Sequence, residues 1–477
     1  MAKRKQTRQS DDAPATKSKS AAQTTSIKKY VQQNVENRQW YVTAADCIKA
    51  GSIKFYTGFL DLDLNLMGGF PYGKMSLVSG ADSSGKTTLM LCTVARMLRT
   101  CRQCFTPIVD FINYQSGEIR TACRCGKMQP MNGLYIDAED RYDAVWAGKH
   151  GLPVNDADPL SEHLMLVKPN TGEMVADSVR KMIQDGILDF LVVDSYAAMF
   201  PEAREGRLAG QQMPGDSAKM IQNLLMTILH ENMRDGGKTK RRCTVLGTQQ
   251  YRANIGVMYG PKVMIPGGWY LRHGLTTHVA MMSPRANEGI DKKKVADAST
   301  HYVDFTGKIA KASLGGNENN QAHWRLYTKA YSSYQSGESD EPKRVLEALN
   351  ALKMAGKDGD GYHILGLPFA TINDMMDAVR KNETFSLVAR YVLLYNYLPA
   401  DSRSYLDMER FNYDPFYELV LDAPEQGDGE EKAISRFRLV ARDSVGGGTK
   451  PRDRRNNKTA NEELAKINPP DATASAG

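Results

Sequence analysis

Lys74-Met75-Ser76-Leu77-Val78-Ser79-Gly80-Ala81-Asp82-Ser83-Ser84-Gly85-Lys86-Thr87-Thr88 is the stretch that decides the fold. Its first part is an apolar run of strand length, and helical periodicity follows over 86–98. Between them, Gly80 to Thr87 fits G-x-x-x-x-G-K-[ST]. In such a loop the backbone amides point inward and cradle phosphate oxygens, and the helix N-terminus adds a positive end. Gly80, Ser83, Ser84, Gly85 and Thr88 belong to this cradle. Lys86 is expected to reach the β- and γ-phosphates of ATP, and the Thr87 hydroxyl to ligate Mg²⁺.

Working outward, Phe190-Leu191-Val192-Val193-Asp194 is an apolar strand ending in a carboxylate, as needed to position Mg²⁺ or its water. Leu134-Tyr135-Ile136-Asp137-Ala138-Glu139 ends another strand, and ligands bind at the C-terminal ends of parallel strands. Glu139 there either activates the attacking water or caps a helix; spacing leaves both open. A phosphate loop with these acids reads as an ATPase.

Further strands are expected at 133–137, 163–167 and 244–247, with helices at 173–184 and 217–230 between them. Strands alternating with crossover helices predict an α/β fold, a mainly parallel sheet with helices on both faces. Added strands at 277–282, 302–309 and 323–327 are expected to be antiparallel. Beyond residue 340 helices at 342–354 and 372–397 predict a small helical C-terminal domain, broken by a turn-rich segment after Ala355. The organisation read from this is a disordered basic arm at 1–29, an N-terminal oligomerisation segment at 30–51, and a core at 52–335. A helical domain at 340–440 and a flexible basic tail at 441–477 follow.

The chain has 477 residues, 41% hydrophobic and 25% charged, which is ordinary for a globular protein. Membrane spans need about eighteen or more apolar residues in a row, and none is present, so no membrane association is expected. The basic start lacks an apolar run, so a secretory signal is not expected either. Net charge is +7, and the basic residues near both ends read as arms for a polyanion or as plain solvated tails.

Taken together, residues 54 to 327 resemble the RecA family of recombinases. The resemblance rests on Thr57-Gly58-Phe59-Leu60-Asp61-Leu62-Asp63, Gly68-Gly69-Phe70-Pro71-Tyr72-Gly73, the phosphate loop, and Ile136-Asp137-Ala138-Glu139. Also similar are Pro169-Asn170-Thr171-Gly172-Glu173, Val192-Val193-Asp194-Ser195, and Gln249-Gln250-Tyr251-Arg252-Ala253-Asn254-Ile255-Gly256 with Gly267-Gly268 after it. The resemblance implies a RecA-like ATPase core whose catalytic set is Lys86, Glu139 and Gln250, Gln250 sensing the γ-phosphate. It implies one DNA loop starting at Arg252, with Ile255 as base wedge and Gly267 and Gly268 at its end. A second loop spans 203–215, with Met213 as its wedge. Asp143 and Trp146 would hold adenine, although a helix carboxylate and a core aromatic describe them equally well. Arg272 and Lys308 would reach the neighbouring subunit's ATP. Two departures stand out: His273 replaces an aromatic residue at the subunit interface, and Asn254 a basic residue in the DNA loop.

The implied partners are single-stranded and double-stranded DNA and further copies of the chain in a helical filament. The implied activity is recombination and repair by strand exchange, in the cytoplasm of a bacterial cell or an infected bacterial host. A RadA-like or replicative hexameric motor on the same superfold is the alternative, and a non-catalytic regulatory module a further one.

Within the core, Cys101-Arg102-Gln103-Cys104 and Cys123-Arg124-Cys125 flank an eighteen-residue spacer, 105–122, and the whole of 101–127 is an insertion relative to that family. C-x-x-C with C-x-C supplies four thiolates, enough for a closed tetrahedral structural Zn²⁺ site. Four unrelated thiols is the competing reading. Cys47, Cys92 and Cys243 read as buried small residues.

Overall fold

The computed structural model describes residues 26–36, 53–112, 119–123, 125–169, 171–206, 215–234, 241–253, 263–284, 301–330, 333–359, 361–365, 367–381 and 383–397. Met213, Asn254 and Ile255 lie outside the described residues, as do both terminal arms except 26–36.

The strands of the main sheet are β3 (Met75–Gly80), β6 (Gly133–Asp137), β7 (Leu164–Val167), β8 (Phe190–Asp194), β9 (Thr244–Gln250), β12 (Thr277–Met281), β13 (Tyr302–Ala312) and β14 (Gln321–Tyr327). Short pairs surround it: β1 (Lys54–Phe55) with β2 (Phe70–Pro71), β4 (Val109–Ile112) with β5 (Ile119–Ala122), and β10 (Arg252–Ala253) with β11 (Val263–Met264). The helices are α1 (Ile27–Asn34), α2 (Leu60–Asn65), α3 (Lys86–Leu98), α4 (Ala144–Lys149), α5 (Gly172–Gln184), α6 (Asp216–Met233), α7 (Gly268–His273), α8 (Glu341–Ala351), α9 (Ile372–Lys381) and α10 (Glu383–Tyr397).

The eight strands run in the order β14-β13-β12-β3-β9-β8-β6-β7, parallel from β12 to β7. This is the expected α/β architecture. Consecutive apolar residues in each central strand point to opposite faces, as the pleat requires. Val78, Tyr135, Val192 and Leu246 thus pack under α3 with Leu89, Met90 and Val94. Leu77, Leu134, Leu191 and Val245 face the other way, against Val175 and Val179 of α5 and Leu224 and Ile228 of α6.

One strand departs from expectation. β12 is parallel to β3, with Thr277 opposite Ser76 and Met281 opposite Gly80, rather than antiparallel. After β9 the chain returns through α7 to the starting end of the sheet, where the Thr276 amide donates to the Met75 carbonyl. In the main sheet β13 pairs antiparallel with both β12 and β14.

The C-terminal residues are not purely helical. The segment after Ala355, expected as a break, forms a three-stranded antiparallel sheet of β15 (Ala355–Asp358), β16 (Gly361–Ile364) and β17 (Leu367–Phe369). Gly359, at φ 56°, supplies a tight turn between β15 and β16 that periodicity alone does not register. The helices expected at 342–354 and 372–397 appear as α8 and as the pair α9 and α10. Their core of Val345, Leu349, Val379, Phe385 and Leu393 also takes in Leu60 from α2 and Val109 from β4.

Asp63 lies fully buried beneath this contact. Its Oδ1 accepts from the Thr57 amide at 2.7 Å and the Thr57 hydroxyl at 2.8 Å. Burial nevertheless pushes its pKa up to about 7 from an ordinary 3.8, against those hydrogen bonds and nearby Arg390. The folded state therefore holds a proton that the unfolded chain releases. Stability from this group is complete below pH 3.8 and is lost as pH rises through about 7. Asp63→Asn is expected to flatten the stability profile over that window. Denaturant midpoints at stepped pH check it, and an unchanged slope would count against a protonated Asp63.

Candidate nucleotide site

Register brings the site together before any side chain is considered. Gly80 stands opposite Gln250 and Met281, and Asp137 opposite Asp194, so the C-terminal ends of β3, β6, β8 and β9 form one rim. The phosphate loop leaves β3 there and turns into α3 at Gly85, which sits at φ 87°. A Cβ on Gly85 would lie 2.3 Å from the Phe305 ring, so both backbone and space demand glycine.

Lys86 donates to the Ala81 carbonyl at 2.6 Å, across its own loop. Burial lowers its pKa, while Asp82, Asp194 and Glu139 oppose that shift. The Thr87 hydroxyl donates to Asp194 Oδ2 at 2.8 Å. Tyr135 donates to the same oxygen at 2.8 Å, and Thr248 to Oδ1 at 2.5 Å. A hydroxyl and a carboxylate side by side at the end of a phosphate loop are hard oxygen ligands that suit Mg²⁺.

The two acids after β6 divide their work. Asp137 accepts the amides of Arg141 and Tyr142, each at 3.0 Å, and so caps the turn. Glu139 is therefore not the cap here. Its Oε1 accepts from the Ser195 hydroxyl at 2.6 Å and from Gln250 Nε2 at 3.1 Å, and Arg141 lies 3.3 Å from Oε2. Gln250 is the last residue of β9, immediately before Tyr251 and the β10–β11 pair.

Other expected residues are placed as follows. Asp143 is the N-cap of α4 and accepts the Trp146 amide at 2.9 Å. The Trp146 indole N–H reaches the Thr88 hydroxyl at 3.3 Å, so the ring stands beside the phosphate-loop helix. Arg252 is exposed on β10, opposite Met264 of β11. Gly267 and Gly268, at φ 109° and 82°, start α7; a Cβ on Gly267 would lie 2.7 Å from Leu271. Arg272 of α7 is exposed and donates to the Ile265 carbonyl at 3.3 Å. Lys308 is exposed on β13. Neither lies among the residues hydrogen-bonded to Asp194 or Glu139.

Sequence reading missed Tyr135, Ser195 and Thr248, the three hydroxyls that orient the acids. It also missed a chain of contacts at the base of the loop, where Ser79 Oγ lies 2.7 Å from His278 Nε2 and 3.2 Å from the Tyr251 hydroxyl. Each sits at or beside a strand end already singled out, and that position was the available signal.

The four insertion cysteines converge. Their sulfurs all lie within 4.8 Å of one another, with Cys101–Cys125 and Cys123–Cys125 at 3.6 Å. Zn–S bonds of about 2.3 Å put tetrahedral sulfurs about 3.8 Å apart, so the thiols fit that ion.

A parallel sheet with a phosphate loop and two acids on one rim defines a P-loop nucleotide-binding core. Residues 118–300, which include Glu139, Asp194 and Gln250, match the RecA N-terminal domain. The chain is 32% identical over 214 residues to Protein RecA of Methylobacterium sp. (strain 4-46), covering 44% of this chain and 47% of that protein. It is 32% identical over 213 residues to Protein RecA of Prochlorococcus marinus (strain AS9601), covering 44% and 47%. For Prochlorococcus marinus (strain MIT 9515) the identity is 33% over 213 residues, covering 44% and 46%. The match thus spans about half the length of these relatives. Together with the fold and the rim, the match makes this stretch of the chain similar to the RecA N-terminal domain.

Proposed function

We propose that this chain is a DNA-dependent ATPase that polymerises on single-stranded DNA and exchanges strands in recombination and repair. The observation that carries the proposal is the contact of Gln250 with Glu139. One amide joins the acid positioned for water activation to the strand that leads into the β10–β11 pair. A side chain so placed would leave Glu139 for a nucleotide at one end or a strand shift at the other, so that ligands at either end bias the same equilibrium.

In this reading Gly80, Ser83, Ser84, Gly85, Lys86, Thr87 and Thr88 hold the phosphates of ATP. Asp143 and Trp146 hold its base. Thr87 and Asp194 would hold Mg²⁺, which would neutralise charge on the phosphates. Glu139 takes the proton of the attacking water, and Ser195 and Gln250 aim its carboxylate. Arg252, Ile255, Gly267 and Gly268, with Met213, face single-stranded DNA and the incoming duplex. Arg272 and Lys308 serve the ATP of a neighbouring copy, so nucleotide favours the filament. Hydrolysis then releases DNA. The divisions at 1–29, 30–51, 52–335, 340–440 and 441–477 belong to this proposal, as does a cytoplasmic setting. So does a structural Zn²⁺ on Cys101, Cys104, Cys123 and Cys125. Among the described residues no helix is long and apolar enough to cross a membrane.

ATP hydrolysis measured with and without single-stranded DNA, alongside negative-stain images, tests the reading. Wild type is expected to hydrolyse faster on DNA and to form helical filaments. Gln250→Ala is expected to lose most of that stimulation, by about tenfold or more. Closed rings would support a hexameric motor instead. Hydrolysis indifferent to DNA would remove the proposal.

A further inference from the structure

The insertion leaves the end of α3 and rejoins the sheet at β6, yet it does more than loop out. Cys101 and Cys104 stand on one foot of the β4–β5 hairpin, and Cys123 and Cys125 on the other. Among the described residues β4 and β5 pair only with each other. A lone two-stranded hairpin is marginal in water, so something else must hold its feet together.

The near foot is tied to the core. The Arg102 amide donates to the Gln129 carbonyl at 2.8 Å, and the Arg102 guanidinium pairs with Asp189 at 2.9 Å, just before β8. Asp189 in turn accepts the Asn132 amide at 2.9 Å, and Phe105 packs on Tyr72 with ring centroids 4.6 Å apart. Beyond the feet the hairpin meets a different partner. β4 runs alongside α10, and buried Val109 joins the core of Val345, Leu349, Phe385 and Ala389. α10 also carries Arg390, which pairs with Glu341, the acceptor of the Leu60 amide.

We infer that one Zn²⁺ held by Cys101, Cys104, Cys123 and Cys125 makes the inserted hairpin a strut that fastens the C-terminal helices to the nucleotide core; this rests on the zinc reading above. Metal at the feet fixes the direction in which the hairpin leaves the core, and Val109 transmits that direction to α10. Binding free energy at such a site is folding free energy, because the unfolded chain does not hold the four thiolates together.

The test uses the full chain purified without chelator and kept reduced. Metal content by mass spectrometry is expected to give one zinc per chain, and Co²⁺ exchanged for it to show the absorption of a tetrahedral thiolate site. Hydrogen exchange is then compared between loaded and stripped protein. Stripping is expected to speed exchange by about tenfold or more in both 119–122 and 385–394, with 190–194 unchanged. Val109→Asp keeps all four thiols; it is expected to retain the metal while loosening 385–394 alone. This variant keeps the idea testable if the stripped protein fails to fold. Zinc bound, with stripping felt only within 101–128, would overturn the strut and leave the zinc reading standing. Protein without metal, or with the four cysteines oxidised in pairs, would overturn both. The ATPase reading is tested separately by the DNA-stimulation assay.

Discussion

Glu139→Gln is expected to lower kcat for ATP hydrolysis by about 10²–10⁴-fold, the usual contribution of a positioned general base. The amide keeps the shape and both neighbours: it can still accept from Ser195, which lies at 2.6 Å, and lie beside Gln250 at 3.1 Å. It cannot take a proton. Nucleotide binding is therefore expected to persist, because the proposed phosphate contacts come from the loop from Gly80 to Thr88, Lys86 included. Single-turnover hydrolysis together with binding of a fluorescent ATP analogue checks both halves. A fall in binding that matches the fall in kcat would show that Glu139 shapes the pocket rather than acting on water. A rate within threefold of wild type would pass the role to another group.

The second large effect lies away from the chemistry. Phe59, the N-cap residue of α2, makes no side-chain capping bond. The first amide of the helix is instead met by Glu341 Oε2 at 2.7 Å, from 281 residues further along the chain. Arg390 completes the group at 3.1 Å, and the two side chains are only 3% and 11% exposed. Burial pushes the Glu341 pKa up, and Arg390 is the leading force against that shift. Arg390→Met removes the cation and strands the carboxylate, at a cost of about 3–5 kcal/mol for breaking a buried pair. Adding Glu341→Gln is expected to recover part of the loss, since an amide is cheaper to bury than an unpaired charge. Urea unfolding followed by a probe in α10 measures it. A loss below about 1 kcal/mol would mean that the pair behaves as if solvated.

Much of the core was legible because its signals are local. Apolar runs of strand length, the glycines and Lys86 of the phosphate loop, and the helical period after it act over a few residues. They placed β3, β6, β8 and α3. Candidate acids could be read from strand ends, because parallel sheets present ligands there. The four cysteines were readable as a ligand set from spacing alone.

Three matters escaped local reading. The direction of β12 depends on where the chain re-enters the sheet, which is a property of the connection and not of residues 277–281. The C-terminal sheet of β15, β16 and β17 depends on hairpin turns that break periodicity rather than extend it. The division of labour between Asp137 and Glu139 depends on which partners arrive: backbone amides of the next turn for one, and Ser195 and Gln250 from other strands for the other.

The sequence by itself determined the core class, the phosphate loop and the residue types available for chemistry, because periodicity, turn residues and ligand types are properties of neighbouring positions. Only the tertiary structure decided which carboxylate faces Gln250, what caps α2 and what the inserted hairpin leans on. Each of those is a hydrogen bond or packing contact between residues far apart in the chain. Its partner is chosen by the whole fold, since a buried polar group must be satisfied by whatever the fold brings to it.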